Sequence, residues 1–411
     1  MRLLHTSDWH LGQTLRDFDR SYEHQCFLDW LLATLDAEQA DVLLIAGDVF
    51  DNPNPSAASQ KQFYRFLQQA RQRRPQLDIV VIAGNHDSPG RMEAPVPLLQ
   101  ALGIVLVGQV ARNAAGAIDL ERLVLPLHDR HGAIAAWCLA VPFLRSGDVP
   151  RLETADPYQD GVALLYRQVL ALALCKRQPG QAIVAMGHCH MHGGEVSAES
   201  ERPIVIGGSE ALSASVFGAE VAYAALGHLH LAQVVGGHPH LRYCGSPLPM
   251  SFAEIGYPHQ VLRVDLAGEA VTGIVAIPVP RAVDLLRVPG RHGTVDAVLA
   301  SLRALDLPAL PEPARPYLEV RVLQERPEPG LRARVEAALE GKPVRLARID
   351  LQQVSDGSAR SMPLSLDELE RLQPADIFAR LYQKKFASAA SPELLSAFAE
   401  LAVAAADGGG A

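Results

Sequence analysis

The sequence predicts an α/β fold divided into two or three domains, and three observations lead to this prediction. The chain has 411 residues, more than a single hydrophobic core usually organises. Through about residue 275, short apolar runs repeatedly end in a polar loop that contains glycine. Amphipathic helical patterns separate the early runs, and such alternation is typical of α/β domains.

The apolar runs have the length and composition of buried β-strands. Four of them are clear, and each ends in a glycine followed by a polar side chain. They occupy residues 41–48, 78–85, 182–188 and 223–228. Loops beyond the strand ends form the functional site in sheets of this kind, so we expect these polar side chains to converge.

Two helices are predicted between the early strands, at residues 23–37 and 57–73. The second places four apolar side chains on one face: Phe63, Phe66, Leu67 and Ala70. From Gly161 onward the pattern is richer in strands and turns, which indicates that two sheets pack together.

A proline-rich stretch at 277–280 separates a first domain, 1–278, from a small α+β domain, 281–355. The small domain is predicted to consist of a helix at 294–305, a strand at 317–323, a helix at 330–339 and a strand at 344–351. It is locally basic, and its cationic side chains include Arg326, Arg332, Arg334, Lys342, Arg345 and Arg348.

Helices are also predicted at 362–405, and the end of the chain, 406–411, is predicted to be disordered. Residues 365–368 have the form of a capping box, and Ser391 can cap a later helix. Each of two helical segments carries an apolar stripe. The stripes are formed by Ile377, Phe378, Leu381 and Tyr382, and by Leu394, Leu395, Phe398 and Leu401.

Composition narrows the class of protein. The 48% of hydrophobic and 20% of charged residues describe a globular chain, without the roughly 18 uninterrupted apolar residues of a membrane span. No secretory segment is recognisable, so a cytoplasmic location is expected. Five scattered cysteines without a CxxC pair argue against a disulfide framework. The net charge of −9 argues mildly against nucleic acid, although bound cations would reverse the sign locally.

Six short polar motifs follow the apolar runs. They are Asp8-Trp9-His10, Gly47-Asp48, Asp51, Gly84-Asn85-His86-Asp87, Gly187-His188-Cys189-His190 and Gly227-His228-Leu229-His230. Each motif alone is more often a turn, a helix cap or a buried histidine. Together they supply carboxylate, imidazole and amide donors, a mixture that favours Mn²⁺, Fe²⁺ or Zn²⁺ over Ca²⁺. A carboxylate shared between two such ions suits phosphoryl transfer, because the pair stabilises both the attacking and the leaving oxygen.

The ordered set DxH, GD, GNHD, GH and GHxH resembles the calcineurin-like metallophosphoesterase superfamily. Longer strings at 6–12, 47–51, 225–230, 245–247 and 251–254 are similar to bacterial DNA nuclease subunits within it. The similarity covers nearly the whole chain. It implies a four-layer αββα sandwich with a small α+β capping domain and a helical C-terminal tail.

The resemblance also implies a role for each motif. Two Mn²⁺ ions would be held by Asp8, His10, Asp48 and His230 on one side, and by Asp48, Asn85, His188 and His228 on the other. His86 is expected to protonate or stabilise the leaving sugar oxygen, with Asp87 orienting and charging its ring. We expect His190 to be a bystander and Asp51 to support a ligand, and we assign no role to His131 or His192.

The implied activity is 3′→5′ exonuclease cleavage of duplex DNA and endonuclease cleavage of single-stranded and hairpin DNA, in repair, recombination and replication. The resemblance also implies a coiled-coil ATPase partner, and any ATP chemistry must reside there because the chain has no GxxxxGK[ST] loop of its own. It would bind the C-terminal stripes, unless these fold back onto their own domain.

Two alternatives to this picture concern the substrate and the loss of activity, and one further prediction concerns the oligomeric state. A phosphomonoesterase or cyclic-nucleotide phosphodiesterase would use the same ligands. A degenerate binding scaffold is disfavoured, because every expected ligand position is filled. The apolar faces of residues 57–73 and 97–102 predict a homodimer.

Overall fold

The computed structural model describes residues 1–197, 211–324 and 328–353. Near the C-terminus it also describes six separate residues: Phe378, Tyr382, Ser391, Leu394, Leu395 and Phe398. Residues Met1–Gln352 form one compact unit, and Gln353–Ala411 form a second. Apart from these six residues, the helices predicted at 362–405 and the disordered end predicted at 406–411 lie outside the described residues.

Within the second unit, the described residues link the two predicted stripes. The ring of Phe378 stacks on that of Phe398, with 4.2 Å between their centroids. The Leu394 amide donates a hydrogen bond to the Ser391 hydroxyl at 3.3 Å, which is the contact expected of a serine that caps a helix. One aromatic residue of each stripe therefore lies against the other stripe.

The described residues of the first unit form seventeen strands. They are β1 Arg2–Thr6, β2 Thr14–Leu15, β3 Phe18–Asp19, β4 Val42–Ala46, β5 Asp78–Ile82, β6 Ile104–Val107, β7 Val124–His128, β8 Ile134–Ala140, β9 Ala182–His188, β10 Val221–Gly227, β11 Gln233–Val235, β12 His238–Tyr243, β13 Gln260–Ala267, β14 Ala270–Pro278, β15 Leu285–Gly293, β16 Tyr317–Gln324 and β17 Arg345–Gln353.

Seven α-helices accompany them in the described part of the chain. They are α1 Ser21–Ala37, α2 Ala57–Arg73, α3 Pro89–Glu93, α4 Val96–Ala101, α5 Pro157–Lys176, α6 Val295–Arg303 and α7 Leu331–Ala338. Short 3₁₀ turns lie at Leu120–Leu123, Ala214–Val216, Phe252–Glu254 and Glu312–Ala314. None of the helices in this part is both long enough and apolar enough to span a membrane.

Most strands belong to two six-stranded sheets. Sheet I has the order β14-β13-β1-β4-β5-β6, with β1, β4, β5 and β6 parallel. Sheet II has the order β11-β12-β10-β9-β8-β7, with β8, β9, β10 and β12 parallel.

The two sheets stack, and helices cover both outer faces. Successive residues of β4 point to opposite sides of sheet I. Leu44 joins the core shared with sheet II, whereas Leu43 joins the core shared with α1 and α2. Helix α5 packs on sheet II through side chains such as Leu165. The predicted αββα sandwich is therefore confirmed.

Helix α2 has the predicted bounds, and its four predicted apolar residues are all buried in the core beside sheet I. That face covers sheet I and is not available to a second protomer, so one of the two reasons for expecting a homodimer is wrong. The other reason remains, because Leu98 of α4 is 74% exposed and Leu102 is 41% exposed.

The expectation that the chain becomes richer in strands and turns from Gly161 onward is wrong for residues 161–176, which belong to helix α5. Helix α5 is the longest helix described, at 20 residues, with Asp156 as its cap and Pro157 in its first turn. Its sequence is apolar on several faces, so the 3.6-residue period that reveals α2 is weak here.

Residues 281–352 of the predicted small domain lie within the first compact unit, and they contain the predicted elements and one strand more. Strand β15 precedes them and pairs with β16, giving the sheet order β15-β16-β17. Helices α6 and α7 pack on this sheet, with Leu302 and Val335 in the core between them.

Candidate metal centre

The predicted ligands lie at the ends of five strands in the two stacked sheets. They are Asp8 and His10 after β1, Asp48 after β4, Asn85 after β5, His188 at the end of β9, and His228 and His230 after β10. Strands β1, β4 and β5 are parallel neighbours in sheet I, and β9 and β10 are parallel neighbours in sheet II. Each sheet therefore contributes one group of adjacent loops.

A buried histidine fixes the two sheets to each other next to these loops. The ring nitrogens of His5, on β1, contact the Tyr223 hydroxyl at 2.8 Å and the Leu226 carbonyl at 3.2 Å, both on β10. Burial lowers the pKa of His5 to about 3, so the ring is neutral and has one donor and one acceptor. Further along, the His228 amide donates to the Asp8 carboxylate at 2.9 Å, which joins the loops themselves.

Several of the predicted ligands have an unusual backbone conformation. The described residues include six non-glycine residues at positive φ, and four of them are predicted ligands: Asp8, His10, Asp48 and His228. Such conformations cost energy and persist only where the surroundings enforce them. Here the Asp8 amide donates to the Gly47 carbonyl and the His10 amide to the Asp48 carbonyl, each at 3.0 Å.

Trp9, between the first two ligands, anchors their loop. Its indole N–H donates to the Thr6 hydroxyl at 2.9 Å, and its ring meets those of Phe27, Phe63 and Phe66 edge-on. Because this side chain is fully buried against α1 and α2, it restrains the loop that carries Asp8 and His10.

Two of the glycines in the motifs are required by close approach of neighbouring groups. A Cβ atom at Gly84 would lie 2.1 Å from the Asp48 Oδ1 atom, and one at Gly227 would lie 1.9 Å from the Ala46 carbonyl oxygen. Neither contact can be relieved by moving a flexible side-chain end, since backbone atoms are involved at both positions. The loops can approach this closely only with glycine there.

Three overlapping groups of side chains could each hold a metal ion. They are Asp8, His10 and His230; His10, Asp48 and His86; and Asp8, Asp48 and His188, with ligand atoms within 4.8 Å of one another. Five of the seven predicted ligands thus converge. A sixth, Asn85, joins through its amide oxygen, 2.9 Å from the His188 Nε2 atom.

His228 is placed less directly. Its ring lies beside that of His188, with centroids 5.6 Å apart, but it belongs to none of the three groups found among the described residues. Burial, together with the charge of His188, lowers the pKa of His228 well below its usual value. Its imidazole is therefore neutral, which is the form that binds metals.

The donors around His188 fit a divalent cation. The His188 Nδ1–H group donates to the Ala46 carbonyl at 2.9 Å, so in the neutral ring the Nε2 atom carries a lone pair. That lone pair faces two oxygens, Asn85 Oδ1 at 2.9 Å and Asp48 Oδ2 at 3.3 Å. Three acceptors pointing at one another need a proton or a cation between them.

A proton on the His188 Nε2 atom would also satisfy these oxygens. Burial alone would lower the pKa of His188, but the Asp48 carboxylate raises it to about 9. Burial likewise opposes ionisation of Asp48, and the charges of His188 and His10 more than offset it, so the pKa of Asp48 lies well below its usual range. On the other side, the buried His10 Nε2 atom has no hydrogen-bond partner and lies 3.7 Å from Asp48. The residues present therefore fit metal binding.

His86 lies beside the same carboxylate. Its amide donates to Asp48 Oδ1 at 2.8 Å, and its ring Nδ1–H donates to the Asp51 carbonyl oxygen at 2.7 Å. The ring meets that of His10 edge-on, with centroids 4.9 Å apart. These contacts fix the direction of the ring, with Nε2 on the side opposite the Asp51 carbonyl.

The contacts of Asp87 differ from those that its expected role requires. Its carboxylate accepts hydrogen bonds from the backbone amides of Gly84 at 2.8 Å, Phe50 at 2.9 Å and Val49 at 3.1 Å. Burial, together with the charge of Asp48, raises the pKa of Asp87 to about 6 despite these bonds. The side chain therefore joins the Asp48 loop to the Asn85 loop, and the Asp51 carbonyl orients His86.

The remaining polar residues of the motifs lie around this cluster. Asp51 Oδ1 is 3.5 Å from the His10 Nδ1 atom, a distance that suits a supporting role. The His190 ring is 6.2 Å from that of His228. His131 and His192 are exposed and belong to none of the metal-binding groups among the described residues.

One buried acid is not revealed by the motifs. Glu254 accepts a hydrogen bond from the His230 Nδ1–H group at 2.9 Å, and both side chains are buried. The string 251–254 resembles the family, but nothing in its local sequence indicates a contact with a residue 24 positions earlier.

Comparison with known proteins shows the family of the chain. Residues 1–241 match the calcineurin-like phosphoesterase family, and residues 281–386 match the family described as type 5 capsule protein repressor C-terminal domain. A Rhodobacter capsulatus protein named as the D component of nuclease SbcCD is 41% identical over 389 residues, 93% of this chain and 94% of that protein. Proteins of the same name from Escherichia coli K12 and Bacillus subtilis are 33% and 37% identical, over 84% and 66% of this chain and 83% and 68% of their own lengths.

Proposed function

The chain belongs to the calcineurin-like phosphoesterases and, within them, to the SbcD nucleases of SbcCD, and on this basis we propose that it cleaves DNA with two manganese ions in one site. The family makes it a metal-dependent nuclease, a hydrolase of phosphodiester bonds. The identity and number of the ions, the form of DNA and the partner belong to the proposal.

The position of Asp48 carries the two-ion proposal. Its carboxylate lies between the imidazoles of His10, at 3.7 Å, and His188, at 3.3 Å. It takes part in two of the three groups able to hold a metal. Asp48 would therefore be the shared ligand, with one ion held by Asp8, His10 and His230 and the other by Asn85, His188 and His228.

Two divalent cations would supply the positive charge that stabilises the attacking and leaving oxygens of phosphoryl transfer. The protein holds the donors for them in a nearly dry pocket, where charges act more strongly than in water. His86 is half-buried at its margin, with Nδ1 engaged by the Asp51 carbonyl. It would hold a proton at Nε2 and give it to the leaving sugar oxygen.

An open cleft borders the segment 250–252, which contacts Glu254 beside His230 through the Met250 amide. It is lined by Thr14, Leu15, Arg16, Met250–Phe252 and Arg348, and has a volume of about 490 Å³. Arg16 is exposed there, so its guanidinium is available to a phosphate of the DNA backbone. A phosphomonoester or cyclic nucleotide has no second backbone phosphate for such a contact.

The basic side chains of the small domain are less available than the sequence indicates. Of the six basic residues named for this domain from the sequence, five are described, and all five contact groups of the protein: Arg332 pairs with Glu336, Arg334 with Asp296, Lys342 with the Arg303 carbonyl, Arg345 with the Tyr317 ring and Arg348 with Asp350. Arg326 lies outside the described residues. DNA contacts by this domain would have to share or replace these partners.

For the assembly, we propose an SbcC-like coiled-coil ATPase bound to the helical C-terminal stripes, and a homodimer that acts in DNA repair, recombination and replication. The stacking of Phe378 on Phe398 supports a paired helical element as the docking unit. For the homodimer, the exposed Leu98 and Leu102 are the supporting surface. The activities on DNA would be 3′→5′ cleavage of duplex ends and endonuclease cleavage of single strands and hairpins.

The test compares manganese-dependent cleavage of hairpin and duplex DNA with hydrolysis of p-nitrophenyl phosphate. We expect the wild type to prefer DNA, Asp48→Ala to lose at least about 10³-fold in rate, and the exposed control Asp36→Ala to retain full activity. Arg16→Ala should weaken DNA cleavage and reduce its salt dependence, with hydrolysis of the small ester unchanged. A clear preference for the monoester would refute the DNA assignment, and full activity of Asp48→Ala would refute the site.

A further inference from the structure

A hydrogen bond between Glu254 and His230 orients one of the predicted ligands. The His230 Nδ1–H group donates to Glu254 Oε1 at 2.9 Å. A carboxylate acceptor at this position holds the ring in the tautomer whose lone pair is on Nε2, the form that can bind a cation through that atom. The exposed fractions of the two side chains are 3% and 0%, so water does not compete for this bond.

The loop that carries Glu254 holds His230 in two places. The second oxygen of the carboxylate, Oε2, accepts from the Met250 amide at 2.7 Å, which fixes the orientation of the acid. In addition, the Ser246 amide donates to the His230 carbonyl oxygen at 3.1 Å. The segment from 246 to 254 thus determines both where the backbone of His230 lies and how its ring is turned.

The same loop is fixed to the small domain through Phe252. The Phe252 side chain is 2% exposed and packs in one apolar cluster with Val283, Leu285 and Tyr317. Its carbonyl oxygen accepts a hydrogen bond from the Arg287 Nη2 atom, on β15, at 2.6 Å. Within a single 3₁₀ turn, therefore, one residue contacts the small domain and another, two positions later, contacts His230.

A second set of contacts reaches the loop from the other side. The Tyr317 hydroxyl, on β16, donates to Glu23 Oε1 at 2.7 Å. Glu23 is bound by the guanidinium of the buried Arg20 through two hydrogen bonds, and Arg20 also donates to the Pro249 carbonyl at 2.8 Å. Pro249 immediately precedes Met250, whose amide orients Glu254.

We propose that Glu254 is a positioning residue for His230, and that docking of the small domain on the Phe252–Glu254 turn keeps it in place. Cation affinity at His230 would then depend on contacts made by the small domain, outside the pocket itself. The inference rests on the proposed metal site and deepens it, because it states how a second domain controls one ligand.

The first experiment measures Mn²⁺ binding to the full chain by isothermal titration calorimetry. In Glu254→Gln, the single amide oxygen can serve either His230 or Met250, and the NH₂ group then opposes the other donor. We expect one of the two binding steps, that of the ion held by His230, to lose roughly 10- to 100-fold in affinity, the range typical of outer carboxylate partners of metal-binding histidines. The control variant is Glu38→Gln. Glu38 is a partly buried acid that pairs with Arg263, and its replacement should leave the Mn²⁺ affinity equal to that of the wild type.

A spectroscopic readout separates positioning from general damage. In ¹⁵N-histidine correlation spectra of the metal-free protein, His230 should show the Nδ1–H tautomer, with its signal identified by its absence in His230→Asn. Glu254→Gln should shift this signal towards a mixture of tautomers. An unchanged tautomer signal and unchanged Mn²⁺ affinity would refute the positioning role.

The small-domain step has its own matched pair. Arg287 and Arg321 both bond to Glu319 Oε1, at 2.9 and 3.0 Å, but of the two only Arg287 is seen to donate to the Phe252 carbonyl. We expect Arg287→Gln to weaken Mn²⁺ binding severalfold more than Arg321→Gln does. Equal affinities in the two variants would refute the coupling. If His230→Ala and Asp48→Ala both bind Mn²⁺ with the affinity of the wild type, the proposed metal site itself is refuted. If these two variants lose affinity and Glu254→Gln does not, only the positioning role of Glu254 is refuted.

Discussion

Replacement of Asp87 distinguishes two interpretations of the GNHD motif. If Asp87 charges the ring of His86, Asp87→Asn should slow catalysis and leave stability unchanged. The structure predicts otherwise, because the carboxylate accepts from three buried backbone amides in two loops. An asparagine offers one oxygen, so its NH₂ group must oppose at least one of those amides.

The magnitude follows from that mismatch. One buried donor left without an acceptor costs about 1–3 kcal/mol. For a domain of this size that corresponds to a fall of a few degrees in melting temperature. The two loops carry Asp48 and Asn85, so we also expect Mn²⁺ affinity to fall together with stability.

The assay combines thermal unfolding, Mn²⁺ titration and nuclease rate for Asp87→Asn and for Asp36→Asn. Asp36 is an exposed acid whose ion pair with Arg73 is long, at 3.5 Å, so its replacement should change stability by less than about 0.5 kcal/mol. A melting temperature and Mn²⁺ affinity equal to the wild type, with nuclease activity lost, would refute this reasoning and restore the charging role.

Three further predictions concern the same pocket. Gly84→Ala should abolish Mn²⁺ binding, because its Cβ would fall 2.1 Å from Asp48 Oδ1, whereas Gly90→Ala, with nothing within 4 Å, should bind normally; equal binding of the two would contradict the close approach. Mn²⁺ affinity should rise up to about tenfold from pH 7 to pH 8, because Asp48 raises the pKa of His188 to about 9 and the cation must displace that proton; a pH-independent dissociation constant by calorimetry would be inconsistent with this. His86→Ala should keep Mn²⁺ affinity within about twofold and lose about 10²–10⁴-fold in DNA cleavage rate; undiminished cleavage would remove His86 from the mechanism.

The sequence was informative where local patterns are sufficient. Helix α2 has the predicted bounds because its apolar residues recur at helical spacing, and the strands were recognisable as short apolar runs ending in glycine. The ligand loops follow those strands, so convergence of Asp8, Asp48 and His188 could be expected from the order of the motifs. Helix α5 was missed because its apolar residues occupy several faces, which leaves no clear period.

Contacts between distant segments depended on the tertiary structure. The apolar face of α2 could equally have met a second protomer, and packing on sheet I decided that it is core. Asp87 lies next to His86 in sequence, yet its partners are the Val49 and Phe50 amides of the preceding loop and the Gly84 amide of its own loop.

What the sequence determined by itself is the chemistry of this protein: the donor types, their order and the family to which it belongs. What only the tertiary structure decided is which atoms meet, as when Glu254 turns the ring of His230 and Asp48 lies between His10 and His188. The physical reason is that donor type is a property of one residue, whereas a hydrogen bond depends on two chain segments brought within about 3 Å by the packing of all the others.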